Sequence, residues 1–323
     1  MTKAIRIHAT GGPEVMQWED VPTPEPGSGE VVVKHAAVGL NYIDVYFRTG
    51  LYKAPSMPLT IGMEGAGTIT ALGAGVGEFK VGDRVAYAGA IGAYATERAL
   101  PADKLVKLPD AISFETGAAM MLQGMTAQYL VRRTHTVKPG ETIVVHAAAG
   151  GVGLILCQWA KHIGATVIGV VSSQAKAELA RAHGAAHVVI GFENLVAEVK
   201  RITGGAGVPV VYDSIGKDTF GASLDCLAPL GLMASYGSAS GPVPPVDIGI
   251  LAAKGSLYLT RPTLATYTAK RADLLATAND LFDVVAKGAV KIAVNQSFPL
   301  KDAAKAHIAL ESRATTGSTV LLP

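Results

Sequence analysis

A chain of 323 residues, 49% of them hydrophobic and only 17% charged, has material for two ordinary domains and excludes a disordered or fibrous protein. Its formal net charge of +2, with no basic run, argues against nucleic acid or an acidic membrane surface as a partner. The opening MTKAIRIHAT lacks the apolar centre of a secretory signal, no apolar run reaches spanning length, and Cys157 and Cys226 lie far apart in apolar stretches, so a cytoplasmic protein with two reduced core thiols is expected.

The first ~120 residues read as β structure from alternation and turn signals. Strands are expected at Lys3 to His8, Met16 to Glu19, Val31 to Ala37, Gly62 to Leu72 and Lys80 to Tyr87, with the proline-rich VPTPEPGSGE as a loop. Short strands at regular spacing suggest a small barrel-like β domain. Between them lies GLNYIDVYFRTGLY, Gly39 to Tyr52. It carries a cap candidate (Asn41), three tyrosines and Arg48, which leaves two readings open: tyrosines covering core, or a ligand-binding loop.

From about Leu122 strand and helix alternate. A helix is expected over Gly124 to Arg133. Strands follow at Thr142–Ala147, Thr166–Val171, His187–Ile190, Pro209–Tyr212, Leu230–Tyr236 and Ser256–Leu259, with helices at Gly153–Ile163, Gln174–His183, Val196–Thr203 and Thr219–Leu227. That grammar belongs to a doubly wound parallel sheet that binds a dinucleotide. Past Pro262 come a helix (Ala269 to Lys287), a strand, a helix (Lys301 to Glu311) and the apolar STVLLP. This tail is too short to fold alone and is expected to complete the first domain.

The centre of the nucleotide domain is TIVVHAAAGGVG, a strand that turns into a helix through small residues spaced Ala147-x-x-Gly150-x-x-Gly153. Such a turn lets backbone approach a pyrophosphate and sets a helix N-terminus against it. About twenty residues on, where an NAD site presents an acid to the ribose 2′-hydroxyl, this chain has Ser172, Ser173 and Gln174 with Lys176 close behind. Hydroxyls and an ammonium suit a 2′-phosphate, so NADPH is favoured over NADH. The turns Asp213-Ser214-Ile215-Gly216 and Tyr236-Gly237-Ser238-Ala239 are placed to complete the crevice. There is no cysteine before Cys157, Met63-Glu64 stands where a His-Glu pair could have served zinc, and the eight histidines are scattered, so no metal is expected. Hydride delivery to an electron-poor acceptor, a quinone or an activated alkene, is the chemistry that remains.

GLNYIDVYFRTGLY, EFKVGDRVAY, HAAAGGVGLILCQWAKHIGA, VVYDSIG, GSLYLTRPTL and LESRATTGSTVLLP, in that order, resemble the NADPH quinone oxidoreductases of the zinc-free medium-chain dehydrogenase/reductase superfamily. The resemblance implies an α/β protein in which a GroES-like β-barrel catalytic domain (residues 1–123 and 263–323) is split around a doubly wound Rossmann domain (residues 124–262). It implies NADPH as hydride donor, a quinone as substrate and a homodimer.

By motif, Gly150, Gly151, Val152 and Gly153 would cradle the pyrophosphate; Ser173, Lys176 and Arg313 would hold the 2′-phosphate. Asn41, Thr126 and Leu259 would line the nicotinamide, while Ile215, Gly237 and Ser238 would meet ribose and phosphates. Tyr46, Arg48 and Tyr52 would form the substrate mouth, with Asn41 beside them. Phe192 stands where relatives have a tyrosine contacting the cofactor, and Gln123 where a relative has lysine. An enone or alkenal reductase is the enzymatic alternative; a non-catalytic NADPH-binding protein, crystallin-like or RNA-binding, is the alternative from another class.

Overall fold

The 11-residue strand Glu30–Leu40 is the spine on which one half of the molecule is assembled. Its run Val31-Val32-Val33 is buried on both faces, a pattern that demands cover on each side. In the computed structural model, which describes residues 1–323, the chain divides into two units. One comprises Met1–Met125, Thr268–Phe282 and Ile292–Pro323; the other comprises Thr126–Tyr267 and Asp283–Lys291.

In the first unit, Glu30–Leu40 pairs along one edge with Glu64–Leu72. Its other edge is shared: Glu97–Pro101 takes residues Glu30 to Lys34, and the chain's last strand, Ser318–Leu322, takes Val38 to Leu40. Val294–Pro299, Arg84–Ala88 and Val106–Lys107 extend this seven-stranded sheet, and a separate three-stranded sheet joins Met16–Val21, Thr2–Ile7 and Leu59–Thr60. Ile5, Ile7, Val31, Val33, Ile61, Ile69 and Leu321 fill one core between these strands. Each such side chain contributes about 1.5–3 kcal/mol when buried.

The second unit is a six-stranded parallel sheet ordered His187–Ile190, Thr166–Val171, Thr142–Val145, Val208–Asp213, Leu227–Ser235, Tyr258–Thr260. In chain order these strands run 3-2-1-4-5-6, the doubly wound arrangement. The reversal point lies between Thr142–Val145 and Val208–Asp213, and the turns that follow these two strands are Ala147–Gly150 and Ser214–Gly216.

Two expectations need correction. The helix expected over Gly124 to Arg133 runs over Phe114–Tyr129 and ends in a π-helical turn, Leu130–Thr134. Nearly all of Gly117 to Val131 is buried, so the helix has no polar face from which an amphipathic period could be read. The strand Glu97–Pro101 has no counterpart among the expected strands, because ERALP has no β-branched residue; its place is set by pairing with Val31 and its neighbours.

Candidate active site

In the second unit the strand Thr142–Val145 delivers the chain into a turn locked by its neighbours in the sheet. His146 N–H donates to Tyr212 O (3.0 Å) and Ala148 N–H to Val170 O (3.1 Å). Ala147 is left-handed, with φ 48°, at the position where the related motif uses glycine. The helix Gly151–Ile163 then starts at Gly150 with no side chain capping it, so its first N–H groups face outward as an anion site. A Cβ on Gly153 would sit 2.1 Å from Ala147 O, which makes glycine obligatory where helix and turn cross. A Cβ on Gly237 would likewise lie 2.5 Å from Ser214 O. The turn therefore fits a pyrophosphate: uncapped helix N–H groups, and no side chain where the backbone must be reached.

Beside this turn, at the end of Thr166–Val171, Ser173 caps the helix Gln174–Ala182 by accepting Lys176 N–H at 3.4 Å. Its hydroxyl proton is thereby left to donate elsewhere. Lys176 is a cation in the first turn of a helix, where the backbone dipole already favours negative charge. A phosphate at this point would meet a hydroxyl and a cation. Ile215 N–H and Gly216 N–H donate to the Asp213 carboxylate (2.8 and 3.1 Å), which fixes the neighbouring turn. Thr126 is buried, and Leu259 lies on the edge strand Tyr258–Thr260 opposite Met233. Phe192 is partly buried and packs against the apolar cluster that contains Val189, Leu195 and Val199.

In the first unit Asn41 precedes the helix Tyr42–Thr49, which stops at left-handed Gly50. Asn41 N–H donates to Asp44 Oδ2 at 2.9 Å. Tyr46 and Tyr52 come together with ring centroids 5.2 Å apart, and Tyr42 stands 6.3 Å from Tyr46. Arg48 does not join this group. Its side chain is 1% exposed, and Nη2 donates to both oxygens of Glu311 at 2.7 Å. The position expected at a substrate mouth is an internal ion pair tying the helix Tyr42–Thr49 to the helix Ala303–Glu311, since an arginine on the inner face of a short helix needs a carboxylate. Arg313 follows it, exposed and left-handed (φ 60°).

Residues that motif reading passed over sit directly behind Asn41. Asn41 Nδ2 donates to Glu64 Oε2 (2.7 Å), and Gln123 Nε2 donates to Asn41 Oδ1 (3.0 Å). Leu122 N–H donates to Glu64 Oε1 at 2.8 Å. Tyr94 donates to Asp44 Oδ2 (3.1 Å) and meets His307 Nε2 (3.1 Å). Asp44, Glu64 and His307 are all fully buried. Burial pushes the Glu64 carboxyl up to about 8 and that of Asp44 up to about 7, and drives His307 down to about 3. One signal for them was available: Glu64 is the single charged residue in GMEGAGTITAL, and an acid inside an apolar strand is either buried with partners or absent. No three His, Cys, Asp or Glu side chains are grouped so as to hold a metal ion.

The alcohol dehydrogenase GroES-like domain model matches residues 27–110, and the zinc-binding dehydrogenase model matches residues 151–277. Over the whole of both chains, this one is 54% identical to a quinone oxidoreductase of Pseudomonas aeruginosa. The chain belongs to the quinone oxidoreductase family. A solved quinone oxidoreductase of Escherichia coli, complexed with NADPH, superposes over the full length of both chains with TM-score 0.97 at 50% identity. Another member of this neighbourhood, a 2-haloacrylate reductase of a Burkholderia species, is 45% identical over 100% of this chain and 99% of its own.

Proposed function

We propose that this chain passes hydride from NADPH to a quinone. The observation that carries the nucleotide half of this reading is Gly153, whose missing side chain lets the uncapped helix Gly151–Ile163 pass the turn where a Cβ would lie 2.1 Å from Ala147 O. Gly150, Gly151, Val152 and Gly153 hold the pyrophosphate; Ser173, Lys176 and Arg313 hold the 2′-phosphate. Ile215, Gly237 and Ser238 meet ribose and phosphates. When bound, NADPH supplies a hydride from its nicotinamide ring. Asn41, Thr126 and Leu259 line that ring, and Tyr46 and Tyr52 orient the acceptor, so the protein's contribution is position and exclusion of water. The residues 1–123 and 263–323 act as the catalytic domain around a nucleotide domain of residues 124–262.

A homodimer is part of the same reading. The edge strand Tyr258–Thr260 has one free edge, and Tyr258 and Ile248 are strongly exposed. A cytoplasmic location fits two buried, free cysteines, and no helix is long and apolar enough to cross a membrane. The relative named for 2-haloacrylate favours a second substrate reading, an activated alkene in place of the quinone.

The experiment is NADPH oxidation with 1,4-benzoquinone, 9,10-phenanthrenequinone and an α,β-unsaturated aldehyde, with NADH as control. Quinone turnover preferring NADPH supports the proposal; turnover of the alkene alone supports the second reading. Lys176→Glu should weaken NADPH far more than NADH, and equal loss would remove the 2′-phosphate assignment.

A further inference from the structure

Asn41 has both ends of its carboxamide committed inside the first unit, in a row of contacts headed by Ser318, whose hydroxyl also has Ala119 O within reach at 3.1 Å. Ser318 Oγ donates to Gln123 Oε1 at 2.7 Å; Gln123 Nε2 donates to Asn41 Oδ1 at 3.0 Å; Asn41 Nδ2 donates to Glu64 Oε2 at 2.7 Å. The other oxygen of Glu64 accepts Leu122 N–H at 2.8 Å. In its ionised form Glu64 can only accept at both oxygens, and that sets the direction of the bonds before it. With Glu64 ionised, turning the Asn41 amide over would bring Oδ1 against the carboxylate, lone pair against lone pair, and its NH2 against the NH2 of Gln123. None of Asn41, Glu64, Gln123 and Ser318 is more than 7% exposed, so water cannot substitute for a lost partner cheaply.

The backbone has been shaped to allow this. A Cβ on Gly39, two residues before Asn41, would lie 2.5 Å from Glu64 Oε2 and 2.2 Å from Ala118 O. Glycine at 39 is what lets the carboxylate pass over the strand and reach Asn41. Two separate stretches of chain thus meet on the Asn41 side chain, the strand Glu64–Leu72 and the helix Phe114–Tyr129, and the final strand Ser318–Leu322 backs them through Gln123.

We infer that Glu64, Gln123 and Ser318 are positioning residues that hold the Asn41 carboxamide in a single orientation, leaving one Nδ2 hydrogen and one Oδ1 lone pair to face the reacting groups. The inference rests on the reading of Asn41 as a nicotinamide-side residue. Glu64 acts through Asn41 and touches no substrate. With Glu64→Gln the shape is kept, but an NH2 now faces either Asn41 Nδ2 or Leu122 N–H, so two donors meet and the amide must move.

The test combines kinetics with a signal that needs neither cofactor nor substrate. In the unliganded protein, selectively labelled with 15N-asparagine, the Asn41 side-chain NH2 pair is assigned by its loss in Asn41→Ala and compared between wild type and Glu64→Gln. The pair should shift in Glu64→Gln, kcat at saturating NADPH should fall about tenfold while NADPH affinity changes by less than about threefold, and Gln123→Leu should behave alike. The double variant Asn41→Ala with Glu64→Gln should be no slower than Asn41→Ala alone. Unmoved Asn41 resonances in Glu64→Gln, or losses that multiply in the double variant, would overturn the inference. If Asn41→Ala keeps full kcat, the nicotinamide-side reading falls, whereas the NMR comparison still reports whether the relay orients the amide.

Discussion

The hydroxyl of Ser223 lies 2.9 Å from Nε2 of His146 and also donates to Oδ2 of Asp213 at 2.7 Å. Asp213 collects Thr219 Oγ1 as well (2.7 Å), together with the N–H groups of Ile215 and Gly216. Four donors make it a satisfied carboxylate. The single Ser223 proton is used on Asp213, so His146 must donate from Nε2 and is the neutral Nε2–H tautomer, in line with the downward shift that burial imposes on it. Ser, His and Asp here form a brace and not a hydrolytic triad, because the serine oxygen is turned inward at 0% exposure. The brace joins His146, at the start of the phosphate turn, to the Asp213–Gly216 turn across the reversal point of the sheet.

Ser223→Ala should therefore loosen both turns together. It strands the buried Nε2–H of His146, which costs about 1–3 kcal/mol. Urea unfolding should register that loss, and NADPH affinity should fall with it. Lost stability with unchanged affinity would show that the brace serves the core alone.

Gly153→Ala tests the turn itself. The added methyl meets a backbone oxygen at 2.1 Å, not the yielding end of a side chain, so helix and turn must separate at a cost of about 1–3 kcal/mol. NADPH affinity, followed by nicotinamide fluorescence, should drop at least about tenfold. By contrast Ala147→Gly relieves a left-handed alanine (φ 48°) and should leave affinity within about twofold.

Much of this was legible because the nucleotide half obeys local rules. Thr166–Val171 and His187–Ile190 were placed to the residue, since each is a short β-branched run between turn signals. The phosphate turn followed from small residues at fixed spacing. What could not be read was anything created by long-range burial. Arg48 resembles a mouth residue in sequence, yet its partner Glu311 is 263 positions away. Glu64 and Gln123 converge on Asn41, with Ser318 behind Gln123, from three stretches that no spacing rule connects. The start of Phe114–Tyr129 carries no periodic signal because most of the helix is buried, polar Gln123, Thr126 and Gln128 included.

The Arg48–Glu311 pair gives a third prediction. Glu311→Ala leaves a guanidinium buried at 1% exposure with its countercharge gone. Breaking a buried pair costs about 3–5 kcal/mol, and the 34% exposure of Glu311 argues for the lower end. Arg48→Met combined with Glu311→Ala removes the charge problem along with the pair and should be more stable than Glu311→Ala alone. If the double variant is the weaker of the two by urea titration, Arg48 contributes through packing and not through its charge.

The buried titrating groups make a fourth. His307 stays neutral in the fold down to about 3, whereas the unfolded chain protonates it near 6.5. Between those values the unfolded state binds a proton that the native state refuses, so stability rises with pH; this contribution is complete above 6.5 and lost as pH falls toward 3. His35, lowered to about 4, acts in the same direction. Glu64 and Asp44 act oppositely: the fold keeps their protons up to about 8 and about 7, so stability falls as pH rises through that range. The two trends offset each other in the wild type, and removing one group exposes the other. His307→Gln keeps an N–H for Tyr94 but no longer titrates. The stability difference between wild type and this variant should shrink as pH drops from 6.5 toward 4, by up to about 1.4 kcal/mol per unit, in urea titrations across that range. Parallel curves would mean that His307 already carries its proton in the folded protein.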